Sequence, residues 1–70
     1  MIKRQDISGI AARAQEDARR FFFYERPTLT EIMFQRAMSD FEKIPYPLRW
    51  YLYRSNFRKA LIALKKEYKS

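Results

Sequence analysis

Apolar residues in this chain recur every three or four positions, and three prolines divide that rhythm into three blocks. In the first block, Ile7, Ile10, Ala11, Ala14, Ala18, Phe21 and Phe22 share helical spacing, which predicts a helix over about residues 6–24. Asp6 or Ser8 is expected to cap it by accepting a backbone N–H. Arg13, Glu16, Asp17 and Arg20 are assigned to the wet side, with Glu16 and Arg20 as a favourable i,i+4 pair. The alanines form a thin stripe that lets another helix approach closely. Pro27 ends the block, since a residue before proline disfavours the α region.

Thr28-Leu29-Thr30-Glu31 fits a capping box, in which Thr28 accepts a backbone N–H and Glu31 reaches back to the Thr28 N–H. A second helix is expected over about 29–42, burying Ile32, Met33, Ala37, Met38 and Phe41, with Phe34 at the margin. Ile44 and Tyr46 each precede a proline and should be extended. Pro47 suits the first turn of a helix, where its missing N–H costs nothing. The third helix, about 48–68, places Trp50, Tyr53, Phe57, Leu61, Leu64 and Tyr68 on one stripe with Ala60 beside it. That stripe is read as the core face. Leu48, Tyr51, Leu52 and Ile62 are read as outward apolar residues. The fold class is therefore all-α: one small three-helix domain spanning 1–70, without repeats, linkers or low-complexity tracts.

Composition narrows the function. Seventy residues lie near the lower size limit for folding alone. The absence of Cys excludes a disulfide framework, a thiolate nucleophile and a zinc–thiolate site. The absence of His removes the commonest acid–base group and metal ligand. A single glycine leaves no glycine-rich phosphate loop. Eight carboxylates remain, each beside Lys or Arg or on an expected exposed face. No enzyme, catalytic residue, cofactor, metal site or small-molecule substrate is expected. No apolar run approaches the ~20 residues of a membrane span, and the start lacks a signal-peptide apolar region. Arg and Ala recur through Arg20, but Asp6, Glu16 and Asp17 argue against a mitochondrial transit peptide. The cytoplasm or another reducing compartment, the mitochondrial matrix included, is the expected location.

The net charge of +7 is concentrated at one end. From Ile44 onward there are seven Lys/Arg and one acid, a local balance of +6. Arg49, Arg54, Arg58, Lys59, Lys65, Lys66 and Lys69 are the candidate basic residues for contact with nucleic acid or an acidic partner. A solvated surface that keeps a sticky small protein soluble is the plain alternative. The run Phe21-Phe22-Phe23-Tyr24 adds a second signal. Successive helical residues point ~100° apart, so one core can cover about two of the four. Phe21 and Phe22 continue the inner stripe. Phe23 and Tyr24 either lie under the turn that follows or form an exposed patch that binds a partner. The candidate partner-binding set is Phe23, Tyr24, Leu48, Tyr51, Leu52 and Ile62.

The segments "FYERPTLTEI" and "PYPLRWYLYR" resemble the theta subunit family of bacterial DNA polymerase III and its phage relatives. Glu25-Arg26, Glu31-Ile32, and Pro45, Leu48, Arg49 with Trp50 and Tyr51 occupy comparable places over about 14–60. The Met-Pro spacing after Glu-Arg is shortened here to Pro27, and the turn before helix three differs. The resemblance implies three helices and a non-catalytic accessory role, binding a proofreading exonuclease subunit. "FEKIPYPLRWYL" is also similar to the Lys-Ile-Pro segment of the Hha–YmoA nucleoid modulators, where it lies at the chain end. The leading expectation is an accessory protein of a nucleic-acid-handling enzyme. A direct nucleic-acid or nucleoid binder, and a small structural subunit of an organelle or phage assembly, are the alternatives.

Overall fold

Helical periodicity without an interior proline gives three helices: α1 (Arg4–Tyr24), α2 (Pro27–Asp40) and α3 (Tyr46–Glu67). The structure, a computed structural model, describes residues 3–24 and 27–68; over 27–30 the description is of backbone alone. The Thr28 capping box and the Glu25–Arg26 break therefore lie outside the described side chains. α1 begins earlier than the periodicity suggests. The Lys3 carbonyl accepts the Asp6 and Ile7 N–H groups at 3.0 and 3.3 Å, and the Asp6 carboxylate accepts the Lys3 N–H at 3.3 Å. Asp6 thus does accept a backbone N–H at the helix start, from inside the first turn rather than ahead of it. Ser8 lies within the helix.

α3 opens at Tyr46, with Pro45 just outside and Pro47 in its first turn, where prolines lack no needed donor. It closes with the Tyr68 N–H donating to the Leu64 carbonyl at 2.9 Å.

Paired side chains fix the topology. Asp17 meets Tyr53 and Phe21 meets Phe57, so α1 and α3 run in the same direction. Arg13 meets Asp40 and Gly9 meets Phe41, so α2 runs back antiparallel along α1, while α1 and α3 pack directly on each other. The contact at Gly9 is close: a Cβ there would lie 2.9 Å from Phe41 Cε1, so glycine is what lets that ring lie against α1.

The hydrophobic centre lies toward the α2–α3 connection. Ile10, Ala14, Ala37, Met38, Ile44 and Tyr53 form it, and Phe34, Phe41, Leu48, Leu52 and Phe57 pack around it. Ile44, in the connection itself, is fully buried. Two burial expectations are corrected on α1 and α2: Ile7 and Ile32 are exposed. Ile7 lies beyond the packed turns, and Ile32 points ~100° away from the Met33–Ala37 row that meets the other helices.

The core face of α3 is also rotated from its expected position. Trp50, placed in the core by its spacing, is 38% exposed; Tyr68 is exposed and Leu61 only half-buried. Leu48 and Leu52, placed outside, instead pack against the core. The reason is geometric. α3 must face both α1 and α2, so its buried arc centres near Tyr53. Trp50 lies ~60° to one side of Tyr53, and Leu52 ~100° to the other, toward Ile44 and the end of α2.

Candidate interaction surfaces

A buried polar cluster pins the three helices and sets which faces remain outward. Asp17 is 2% exposed, although the charge pattern placed it on the wet side. The Tyr53 hydroxyl donates to its Oδ2 at 2.6 Å, and Arg13 Nε stands 3.6 Å away. Arg13 Nη1 donates to Asp40 Oδ2 at 2.8 Å. Asp40 of α2 and Tyr53 of α3 thus meet Arg13 and Asp17 of α1. Burial, followed by the Asp17 hydrogen bond and charge, pushes the Tyr53 hydroxyl well above its ordinary range near 10. For Arg13, burial works against the charge, but the Asp40 hydrogen bond and the Asp17 carboxylate outweigh it and raise the guanidinium pKa. The geometry is that of a structural tie: the carboxylate oxygen that faces inward is taken by its own donors.

Arg49, one of the candidate basic residues, is a second tie rather than a free cation. Its Nε donates to the Ile44 carbonyl at 3.1 Å and its Nη1 to the Met38 carbonyl. It thereby satisfies one carbonyl at the end of α2, which the helix itself cannot pair, and one in the connection that follows. Its guanidinium also lies over the Tyr46 ring.

Among the described residues, two outward surfaces carry exposed aromatics of the candidate sets. At the end of α1, the aromatic run divides as its angular spacing requires. Phe21 is half-buried with its ring 5.8 Å from that of Phe57. Phe22 is half-buried against Tyr68. Phe23 is 53% exposed and Tyr24 66% exposed. Phe23 meets Phe22 and Tyr68 edge-on, at 5.3 and 5.5 Å between ring centres, so exposed rings cluster at this end of the molecule.

The second surface is the outer side of α3. Trp50, Tyr51, Arg54, Arg58, Lys59 and Ile62 border a shallow groove there, with Ser55 between them. The Arg54 guanidinium lies over the Trp50 ring, 4.9 Å from its centre. Lys65 and Lys66 continue the face as exposed cations. None of these cations joins a salt bridge among the described residues. Of the sequence-derived sets, Phe23, Tyr24, Tyr51 and Ile62 are exposed, as are Arg54, Arg58, Lys59, Lys65 and Lys66. Leu48, Leu52 and Arg49 are withdrawn from them for the contacts given above. Lys69 lies outside the described residues. Trp50 is the member that sequence spacing missed.

No group of three or more Asp, Glu, His or Cys positioned to hold a metal ion occurs among the described residues. No helix among them is long and apolar enough to cross a membrane. A further shallow groove between α1 and α3, floored by Ala60, Ala63 and Leu64, contains no carboxylate. No protein-family model matches the chain, and no curated protein or solved structure matches it.

Proposed function

We propose that this chain is a small non-catalytic accessory subunit that docks on a larger, nucleic-acid-handling protein through the exposed aromatic end of α1. The observation that carries this reading is the division of the run at residues 21–24. Phe21 and Phe22 are half-buried in the domain, whereas Phe23, leaning edge-on against Tyr68, and Tyr24 remain mostly exposed. Large aromatics are the side chains most often found as anchors at the centre of interfaces.

The exposed rings are grouped: Phe23, Tyr24 and Tyr68 all stand outward at this end. A cluster of exposed large apolar groups is what a binding partner covers. The partner is a protein with an apolar pocket for Phe23 and Tyr24 and an acidic rim suited to the excess of cations. The resemblance to the theta subunit family adds a class for that partner, a proofreading exonuclease or polymerase subunit.

The test is affinity capture from nuclease-treated lysate of the cells that encode the chain, with the wild type and the Phe23→Ala/Tyr24→Ala variant as parallel baits. A nucleic-acid-processing protein should be retained by the wild type and reduced at least tenfold with the variant. Retention of no protein in a manner that depends on these two rings would overturn the proposal.

A further inference from the structure

The outer face of α3 is chemically distinct from the aromatic end and requires its own account. From Ile44 to Lys66 the chain contains no acid, while Arg54, Arg58, Lys59, Lys65 and Lys66 are all exposed. These five cations occupy a helical stretch of about 18 Å, at 1.5 Å per residue. Two aromatics, Trp50 and Tyr51, stand at the start of the row.

We infer that this face binds single-stranded nucleic acid directly, with the cations on the phosphates and Trp50 and Tyr51 as surfaces for stacking bases. This goes beyond docking on a protein partner and uses different residues. Three features favour a nucleic-acid strand over an acidic protein. First, an amphipathic partner helix needs an apolar stripe to bury. Between Tyr51 and Ile62 this face offers Arg54, Ser55, Arg58 and Lys59, which cannot supply one. Second, the Arg54 guanidinium already lies over the Trp50 ring, so a cation and a π-surface are presented together. That pairing serves both the charged backbone and the flat bases of a strand. Third, a run of cations without interspersed acids gives the uniform positive potential that attracts a polyanion.

The sole tryptophan of the chain stands on this face and supplies the readout. A base stacked near Trp50 quenches its fluorescence. The experiment titrates the full chain with oligo-dT of about 20 nucleotides at 50 and 200 mM salt, following Trp50 emission, with polyglutamate of matched charge as the comparison. Single-strand affinity changes with salt with a slope of about −0.7 per phosphate contact. Five contacts give a slope near −3.5, hence a loss of about 100-fold between the two salt concentrations. Arg54→Gln/Arg58→Gln/Lys59→Gln should reduce that loss to about sevenfold, since two contacts remain. Tyr51→Ala should weaken binding at both salts and leave the slope unchanged, because stacking releases no counterions. Circular dichroism of each variant checks that the helices persist. Three results would overturn the inference: no Trp50 quenching at 50 mM salt, an unchanged salt slope in the triple variant, or equal quenching and affinity with polyglutamate. The last would assign the face to an acidic protein. Because every component is purified, failure here leaves the protein-docking proposal standing, and the reverse also holds.

Discussion

Tyr53→Phe removes one oxygen atom and tests the energetic centre of the fold. The ring stays, so packing against Phe34 and Phe57 is kept. What is lost is the 2.6 Å donor to a carboxylate that is 2% exposed. A hydrogen bond to a charged group contributes about 1.5–3 kcal/mol. The buried acceptor gains no water in exchange, so the upper half of that range applies. The unfolding entropy of a 70-residue domain is near 150 cal/mol/K, by which each kcal/mol moves the melting temperature by about 7 °C. A fall of about 15–20 °C is expected in circular-dichroism melts at pH 7. Tyr51→Phe, at a position 61% exposed, should change stability by no more than about 0.5 kcal/mol. Replacing both partners, as Asp17→Leu/Tyr53→Phe, should recover part of the loss, because an apolar pair strands no buried charge. A Tyr53→Phe melting temperature within 3 °C of wild type would refute the tie.

The same hydroxyl predicts a pH dependence. Its folded-state pKa is raised above the unfolded value near 10. Its contribution is therefore fully present below pH 10 and is lost as pH rises further, where the unfolded chain ionises first. Denaturant melts above pH 10 should show a steeper loss of stability in wild type than in Tyr53→Phe; parallel curves would contradict this. Arg49→Met keeps the aliphatic stem but strands the Met38 and Ile44 carbonyls, so a cost of about 1.5–3 kcal/mol is expected in urea titrations, and an unchanged midpoint would show the clasp to be idle. Leu64→Ala, at a buried position, should cost about 2–5 kcal/mol, whereas the half-buried Leu61→Ala should cost less; the reverse order would contradict the rotated face of α3.

The three helices were legible because their periodicity is regular and prolines fall at both connections. α3 began earlier than expected because its first turn tolerates proline and Tyr46 could join it. The split between Phe21–Phe22 and Phe23–Tyr24 was legible from the angle between neighbours alone. Asp17 was not, because a charged residue is assigned to water by default. The signal was nevertheless present: Asp17 is seven residues after Ile10 and three after Ala14, within the buried stripe, and a core tyrosine such as Tyr53 needs a partner for its hydroxyl. The positions of Trp50, Leu48 and Leu52 are not legible from spacing, because a stripe through the largest side chains takes no account of a second neighbouring helix. A helix flanked by two others buries a wider arc, centred between its neighbours. The role of Arg49 depends on where the connection brings the α2 carbonyls, and local sequence does not encode that position.

Docking through the two exposed rings, Phe23 and Tyr24, is tested most directly by one paired measurement. Phe21→Ala, Phe22→Ala, Phe23→Ala and Tyr24→Ala are each melted, and each is titrated against the partner identified by capture. Phe21→Ala and Phe22→Ala should lose about 2–4 kcal/mol of stability, since both rings are half-buried in the domain. Phe23→Ala and Tyr24→Ala should stay within about 1 kcal/mol of wild type and bind at least tenfold more weakly, a loss of about 1.4 kcal/mol or more. Binding unchanged in both variants would contradict the docking role, and destabilisation equal to that of Phe21→Ala and Phe22→Ala would make the whole run part of the core.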